Sequence, residues 1–119
     1  MSDRKIKTVV VDDEPLARKG LRTRLERHAD VEVVAECQNG LDAVSVISKN
    51  RPDLVFLDIQ MPGLNGFQVI HKLRELNQPI PMIVFVTAYD SYAIKAFDIH
   101  AVDYLLKPAD DARLSDALV

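Results

Sequence analysis

With 119 residues, 48% of them hydrophobic and 28% charged, the chain has the size and composition of one ordinary globular domain, which sets aside disordered and collagen-like readings. Its 15 basic and 18 acidic residues leave a net charge of −3, too weak a positive field for this segment to bind nucleic acid directly. The single cysteine, Cys37, excludes an intramolecular disulfide and a cysteine-built metal site, and no run approaches the ~20 apolar residues of a membrane span.

Along the chain, apolar runs at 6–11, 31–37, 54–57, 82–86 and 102–106 alternate with segments of helical period, which predicts five βα units. Strands this apolar are expected to be buried on both faces of a parallel sheet, with right-handed crossover helices on both sides. The first helix has Pro15 in its first turn, Leu21 and Leu25 one turn apart as its inward stripe, and an end by Ala29. The second starts near Gly40 after Asn39, a capping residue, turns Leu41, Val44 and Ile47 inward, and stops before Pro52. The third runs from Phe67 to Asn77 with Val69, Ile70 and Leu73 inward, and a short fourth covers 91–99. Residues 110–119 begin a fifth helix that ends without a cap, so the chain, 1–119, reads as a single-domain fragment, with a linker and a second, C-terminal domain expected to follow. The N-terminus is unlike a signal peptide, and a soluble, cytoplasmic protein is expected.

Three charged groups each close an apolar strand: Asp12-Asp13 after Val11, Asp58 after Leu57, and Lys107-Pro108 after Leu106. In an open α/β sheet the carboxyl ends of the strands are where ligands bind, so these groups are expected to meet. Two carboxylates at 4 Å repel by roughly 4 kcal/mol at an effective dielectric of about 20. A hard, oxygen-seeking cation such as Mg2+ offsets that repulsion, and Lys107 adds a positive charge suited to an oxyanion. Such a site is built for phosphoryl transfer, with a carboxylate able to act as the nucleophile. Each residue alone has a plainer explanation. An Asp-Asp pair is usually a solvated turn, Thr87 a strand-end hydroxyl, Tyr104 a core aromatic and Lys107 an exposed charge. Their joint order at successive strand ends is what carries the argument.

In that order the residues resemble the receiver domain of two-component response regulators, over the whole chain: the acidic pair, Asp58 within Leu57-Asp58-Ile59-Gln60-Met61-Pro62-Gly63, Thr87-Ala88, and Lys107-Pro108. The resemblance implies a flavodoxin-like, doubly wound five-stranded parallel sheet of strand order 2-1-3-4-5 with helices on both faces. It further implies that Asp58 accepts a phosphoryl group from a histidine kinase and that Asp13 ligates Mg2+ directly. Asp12 would act through water, beside Asp58 and the Gln60 backbone carbonyl. Thr87 would bond the phosphoryl group, Lys107 would pair with it, Tyr104 would rotate inward as the switch, and Pro108 would follow a cis peptide. Ala88 leaves the phosphoryl group room, and Tyr89 would hinder the hydrolytic water. The domain would be a signalling phosphoacceptor that assists its own phosphotransfer and dephosphorylation, not an enzyme in the usual sense.

Arg18, Lys19, Arg22, Arg24 and Arg27 give the first helix a basic face with little acidic compensation. That face is expected either to be plainly solvated or to dock the helical bundle of the kinase. The fourth helix is more apolar than one inward stripe requires, and the resemblance implies a phosphorylation-dependent homodimer through helix 4, strand 5 and helix 5. The stretch from Val86 to Phe97, followed by 101–108, looks like the subgroup with a LytTR-type DNA-binding output, so DNA would be reached only through that missing domain, with no membrane contact. The alternative function is a receiver-like interaction module that works without phosphorylation. A haloacid-dehalogenase phosphatase needs its two acids separated by one residue after the first strand, whereas here they are adjacent. A nucleotide-binding Rossmann or flavodoxin module fails because Asp12-Asp13-Glu14-Pro15 lacks glycines and would repel phosphates.

Overall fold

The computed structural model describes residues 5–87 in full and 103–106 as backbone. Its elements are β1 (Ile6–Val11), α1 (Pro15–Leu25), β2 (Val31–Cys37), α2 (Gly40–Asn50), β3 (Leu54–Leu57), α3 (Gly66–Glu75), β4 (Met82–Thr87) and β5 (Asp103–Leu106). The five strands form one parallel sheet of order β2-β1-β3-β4-β5, as expected. The expected fourth and fifth helices, 91–99 and 110–119, lie outside the described residues.

Period-2 alternation within each strand divides the core in two. On one face Val10, Leu54, Phe56, Val84 and Val86 pack with Leu21 and Leu25 of α1. On the other, Val9, Val11, Val55, Leu57, Ile83 and Phe85 pack with α2 and α3. The sequence path explains the split. The chain steps from β1 to β2 in one direction, then returns across β1 to β3, and crossovers of one hand that run in opposite directions place their helices on opposite faces. The reversal lies between β1 and β3, which opens a crevice at their carboxyl ends.

Each helix starts from a local signal. Pro15 stands in the first turn of α1, where its missing N–H costs nothing. Asn39 caps α2 by accepting from the Asp42 N–H at 2.8 Å. Asn65 and Gln68 form a capping box on α3, accepting the Gln68 N–H at 2.9 Å and the Asn65 N–H at 2.8 Å. Asn65→Ala is therefore expected to lower stability by about 1 kcal/mol, read as a shift in the urea midpoint.

Three expectations need correction. Leu41 is not inward but 66% exposed, because the buried stripe of α2 is Gly40, Ala43, Val44 and Ile47, and Leu41 sits a quarter turn to its side. The third helix ends before Asn77, which takes a left-handed backbone with φ 55° that breaks the helical hydrogen-bond ladder. Strand β2 is only half-buried over its middle, since it is an edge strand carrying Glu32 and Glu36. Cys37 at its end is a packed thiol, pushed up to about 11 by burial and then by nearby Asp42, which keeps it protonated and unreactive at neutral pH. Among the described residues no helix is long and apolar enough to cross a membrane.

Candidate functional site

Strand register brings the acids together. Val11 pairs with Leu57 across β1 and β3, so the residues that follow, Asp12 and Asp58, emerge side by side, and the Asp58 N–H donates to the Val11 carbonyl at 3.0 Å. Both acids are only 4% exposed, although each ends a strand. One carboxylate oxygen from each of Asp12, Asp13, Glu14 and Asp58 lies within 4.8 Å of the others. Asp13 is half-buried and Glu14 exposed.

Glu14 is the member that sequence reasoning overlooked. It is the N-cap residue of α1, yet its side chain makes no capping bond. The available signal was its place directly after the acidic pair, which put it on the same turn.

The turn itself is tied down at several points. The Asp12 N–H donates to the Cys37 carbonyl of β2 at 3.0 Å, which extends the sheet one residue past β1. Asp12 Oδ1 accepts the Glu14 N–H at 2.9 Å, so one oxygen of this carboxylate is committed to shaping the turn. Arg18 Nη1 donates to the Asp12 carbonyl at 2.7 Å, and Arg18 Nε donates to Glu36 Oε1 at 3.2 Å.

Glu36 also accepts from Arg22 Nη1, a hydrogen bond and charge pair that hold the Arg22 guanidinium still more firmly protonated. Arg22 Nε lies 3.8 Å from Glu26 as well. The basic face of α1 is thus not without acidic compensation: its inward side is paired with a glutamate on a neighbouring strand, and that partner is invisible to helix periodicity.

On the far side of Asp58, the loop to α3 is shaped by close packing. Gly63 adopts φ 75°, the left-handed conformation that ends the Met61-Pro62 segment. Gly66 lies against the Asp58 backbone and donates its N–H to the Ile59 carbonyl at 2.8 Å. Phe67 packs on Phe85 in a tilted arrangement with ring centroids 5.1 Å apart, fixing the start of α3 to β4. A cavity of about 420 Å3 opens between Asp13 and this loop, lined by Gln60, Met61, Pro62, Asn65 and Gln68 among others. Gln60 is exposed at its edge.

Thr87 is the last residue of β4 and fully buried, two residues beyond Phe85, which pairs with Leu57. It pairs in register with Leu106, the residue before Lys107. Tyr104 belongs to β5 and pairs with Phe85 through its backbone. The Tyr104 side chain, Ala88, Tyr89, Lys107 and the Lys107-Pro108 peptide lie outside the described residues.

The donor set consists of carboxylate oxygens, without an imidazole or thiolate among the cluster, and it concentrates negative charge in a crevice where Asp12 and Asp58 are buried and Asp13 and Glu14 reach toward solvent. Hard oxygen donors of this kind suit Mg2+ and not a soft transition metal. Each carboxylate pair at this spacing repels by about 3.5 kcal/mol or more at an effective dielectric of about 20, which a divalent cation would offset.

A family model described as the response regulator receiver domain matches residues 8–119. The transcriptional regulatory protein BtsR of Escherichia coli (strain K12) is 51% identical over 113 residues, covering 95% of this chain and 46% of that protein. The sensory transduction protein LytT of Bacillus anthracis is 48% identical over 113 residues, with the same coverage of 95% and 46%. Among solved structures, the REC domain of AraT, a response regulator from Geobacillus stearothermophilus, superposes with a TM-score of 0.83 at 34% identity, covering 94% of this chain and 88% of that one. The chain spans about half the length of the curated relatives it matches.

Proposed function

The chain belongs to the response regulator receiver domain family, and from that premise we propose that it is a phosphorylation-activated switch whose phosphoacceptor is Asp58. It is a signalling domain of two-component pathways, not a conventional enzyme. The observation that carries the reading is the meeting of Asp12, Asp13 and Asp58 at the point where the strand order reverses.

Asp58 is the nucleophile. One of its carboxylate oxygens forms a bond to phosphorus as the P–N bond to a phosphohistidine of the sensor kinase breaks, and the departing imidazole nitrogen keeps the electron pair and takes up a proton. Asp13 and Asp58 would hold Mg2+ directly and Asp12 through water, with the Gln60 backbone carbonyl completing the protein's share. Bound there, Mg2+ supplies positive charge that neutralises the carboxylates and the phosphoryl oxygens. Thr87 donates its hydroxyl to a phosphoryl oxygen, and Lys107 pairs with another. Thr87 is fully buried at the end of β4, and its movement toward the phosphoryl group would be followed by the inward rotation of Tyr104. Strand β5 and the expected helices 91–99 and 110–119 then report the change, and a phosphorylated homodimer forms through that face. Water attack on the acyl phosphate, held by the same groups, resets the switch.

The wider assignments follow the relatives. BtsR and LytT are consistent with the LytTR subgroup, and both extend well beyond the matched part. Residues 1–119 are accordingly the receiver unit of a cytoplasmic regulator whose C-terminal output domain binds DNA, and the exposed part of the α1 basic face meets the kinase.

The test is intact-mass spectrometry after incubation with acetyl phosphate, with and without Mg2+, for the native chain and Asp58→Asn. A Mg2+-dependent phosphoryl adduct absent from the variant is expected. Absence of any adduct, under conditions that preserve acyl phosphates, would instead favour a module that binds partners without phosphorylation or one that takes its phosphoryl group strictly from the cognate kinase.

A further inference from the structure

We propose that Arg18 is a positioning residue for the cation site, holding the β1–α1 turn so that the Asp12 and Asp13 carboxylates stand at ligating distance from Asp58. This rests on the reading above that the acidic cluster takes a divalent cation.

The geometry is a two-ended brace. One end of the guanidinium, Nη1, donates to the Asp12 carbonyl at 2.7 Å, and the other, Nε, donates to Glu36 on β2 at 3.2 Å. The side chains of Arg18 and Glu36 are only 18% and 25% exposed, so both ends are shielded from competing water. Glu36 is adjacent to Cys37, whose carbonyl accepts the Asp12 N–H. Asp12 is therefore gripped by β2 through its own N–H and, by way of Arg18, through its carbonyl. Its Oδ1 accepts from the Glu14 N–H, and the Glu14 carbonyl in turn accepts the Arg18 N–H at 3.0 Å, which closes the turn.

The residue type matters. A planar guanidinium can donate in two fixed directions at once, whereas a lysine ammonium in that space is a single point charge. Glu36 also neutralises a cation that would otherwise repel the metal.

Two physical effects of removing Arg18 have opposite signs. Loss of a positive charge beside the site should tighten Mg2+ binding, while loss of the brace should loosen it by letting the turn relax. The sign of the change therefore separates them.

The experiment is a Mg2+ titration followed by the amide NMR shifts of Asp13 and Glu14, on the native chain, Arg18→Ala, Arg18→Lys and Arg22→Ala, with thermal unfolding measured on each. Arg18→Ala is expected to weaken Mg2+ binding by about tenfold, the usual consequence of deleting a group that orients a ligand. Arg22→Ala also loses its contact with Glu36 but touches no ligand residue, and its affinity is expected to match the native chain. Arg18→Lys keeps the charge and loses the fork, so weaker binding in that variant reports geometry alone. It decides the matter if Arg18→Ala does not fold. Equal or tighter binding by Arg18→Ala, or by Arg18→Lys, overturns the brace. No saturable Mg2+ response in the native chain overturns the cation reading and the brace with it, while a native response that both Arg18 variants share overturns the brace alone.

Discussion

Gly66→Ala is expected to lower stability by about 3 kcal/mol, at the upper end of the usual cost of overpacking, and to weaken Mg2+ binding with it. A Cβ at this position would stand 2.6 Å from the Asp58 carbonyl oxygen, 3.1 Å from Ile59 Cα and 3.3 Å from the Phe85 ring. The first two are backbone atoms at the end of β3 and cannot rotate aside. The N-terminus of α3 would have to retreat, lengthening the 2.8 Å bond from the Gly66 N–H to the Ile59 carbonyl and dragging the loop that carries Gln60. Gly20→Ala serves as the control. There the new methyl meets only the end of the Arg24 side chain, at 3.6 Å, in the interior of α1. Alanine's higher helix propensity should then raise stability by roughly 0.5–1 kcal/mol. Urea unfolding of the two variants is expected to move in opposite directions, and an unchanged midpoint for Gly66→Ala would contradict the packing argument.

Asp58→Asn is expected to stabilise the chain when divalent cations are removed and to cancel the stabilisation that Mg2+ brings to the native chain. Asp12 and Asp58 are both almost fully buried within one cluster of carboxylates. Neutralising one member relieves repulsion of about 3.5 kcal/mol per pair in the rigid limit. Relaxation and water entry reduce this, and a net gain of about 1–2 kcal/mol would raise the midpoint by roughly 5 °C. Saturating Mg2+ should reverse the order. A ligand present at ~100-fold its dissociation constant stabilises the native chain by about 2.7 kcal/mol, and the variant lacks the central carboxylate that would hold it. Thermal scans in chelator and in Mg2+ check both halves. A variant less stable than the native chain in chelator would mean that hydrogen bonds to the Asp58 carboxylate outweigh its repulsion with Asp12 and Asp13.

The strands and the acids of the site were legible from the sequence alone. Runs such as 54–57 are apolar throughout, and an acid directly after such a run must surface at the strand's end, so Asp12, Asp13 and Asp58 could be placed with no knowledge of the neighbours. The start of α2 was legible for the same reason, since Asn39 caps it within one turn, whereas the Asn65–Gln68 capping box that starts α3 at Gly66, one residue before the expected Phe67, went unread. Glu14 could have been read from its place beside the acidic pair. What the sequence by itself determined is therefore whatever depends on a residue and its near neighbours along the chain.

Tertiary structure decided the remainder. The α2 stripe admits Gly40 and not Leu41, because the loop from β3 comes so close that a Cβ on Gly40 would stand 2.2 Å from the Leu64 carbonyl oxygen. Arg18 reads as one of five basic residues on a helix until β2 brings Glu36 to it and β1 presents the Asp12 carbonyl. These contacts join residues up to 24 positions apart, as Gly40 is from Leu64, and arise only once the sheet has set which segments lie side by side. Local period and polarity select the elements, but the close approaches between them, which hold the acids at one point, come from packing that no single segment encodes.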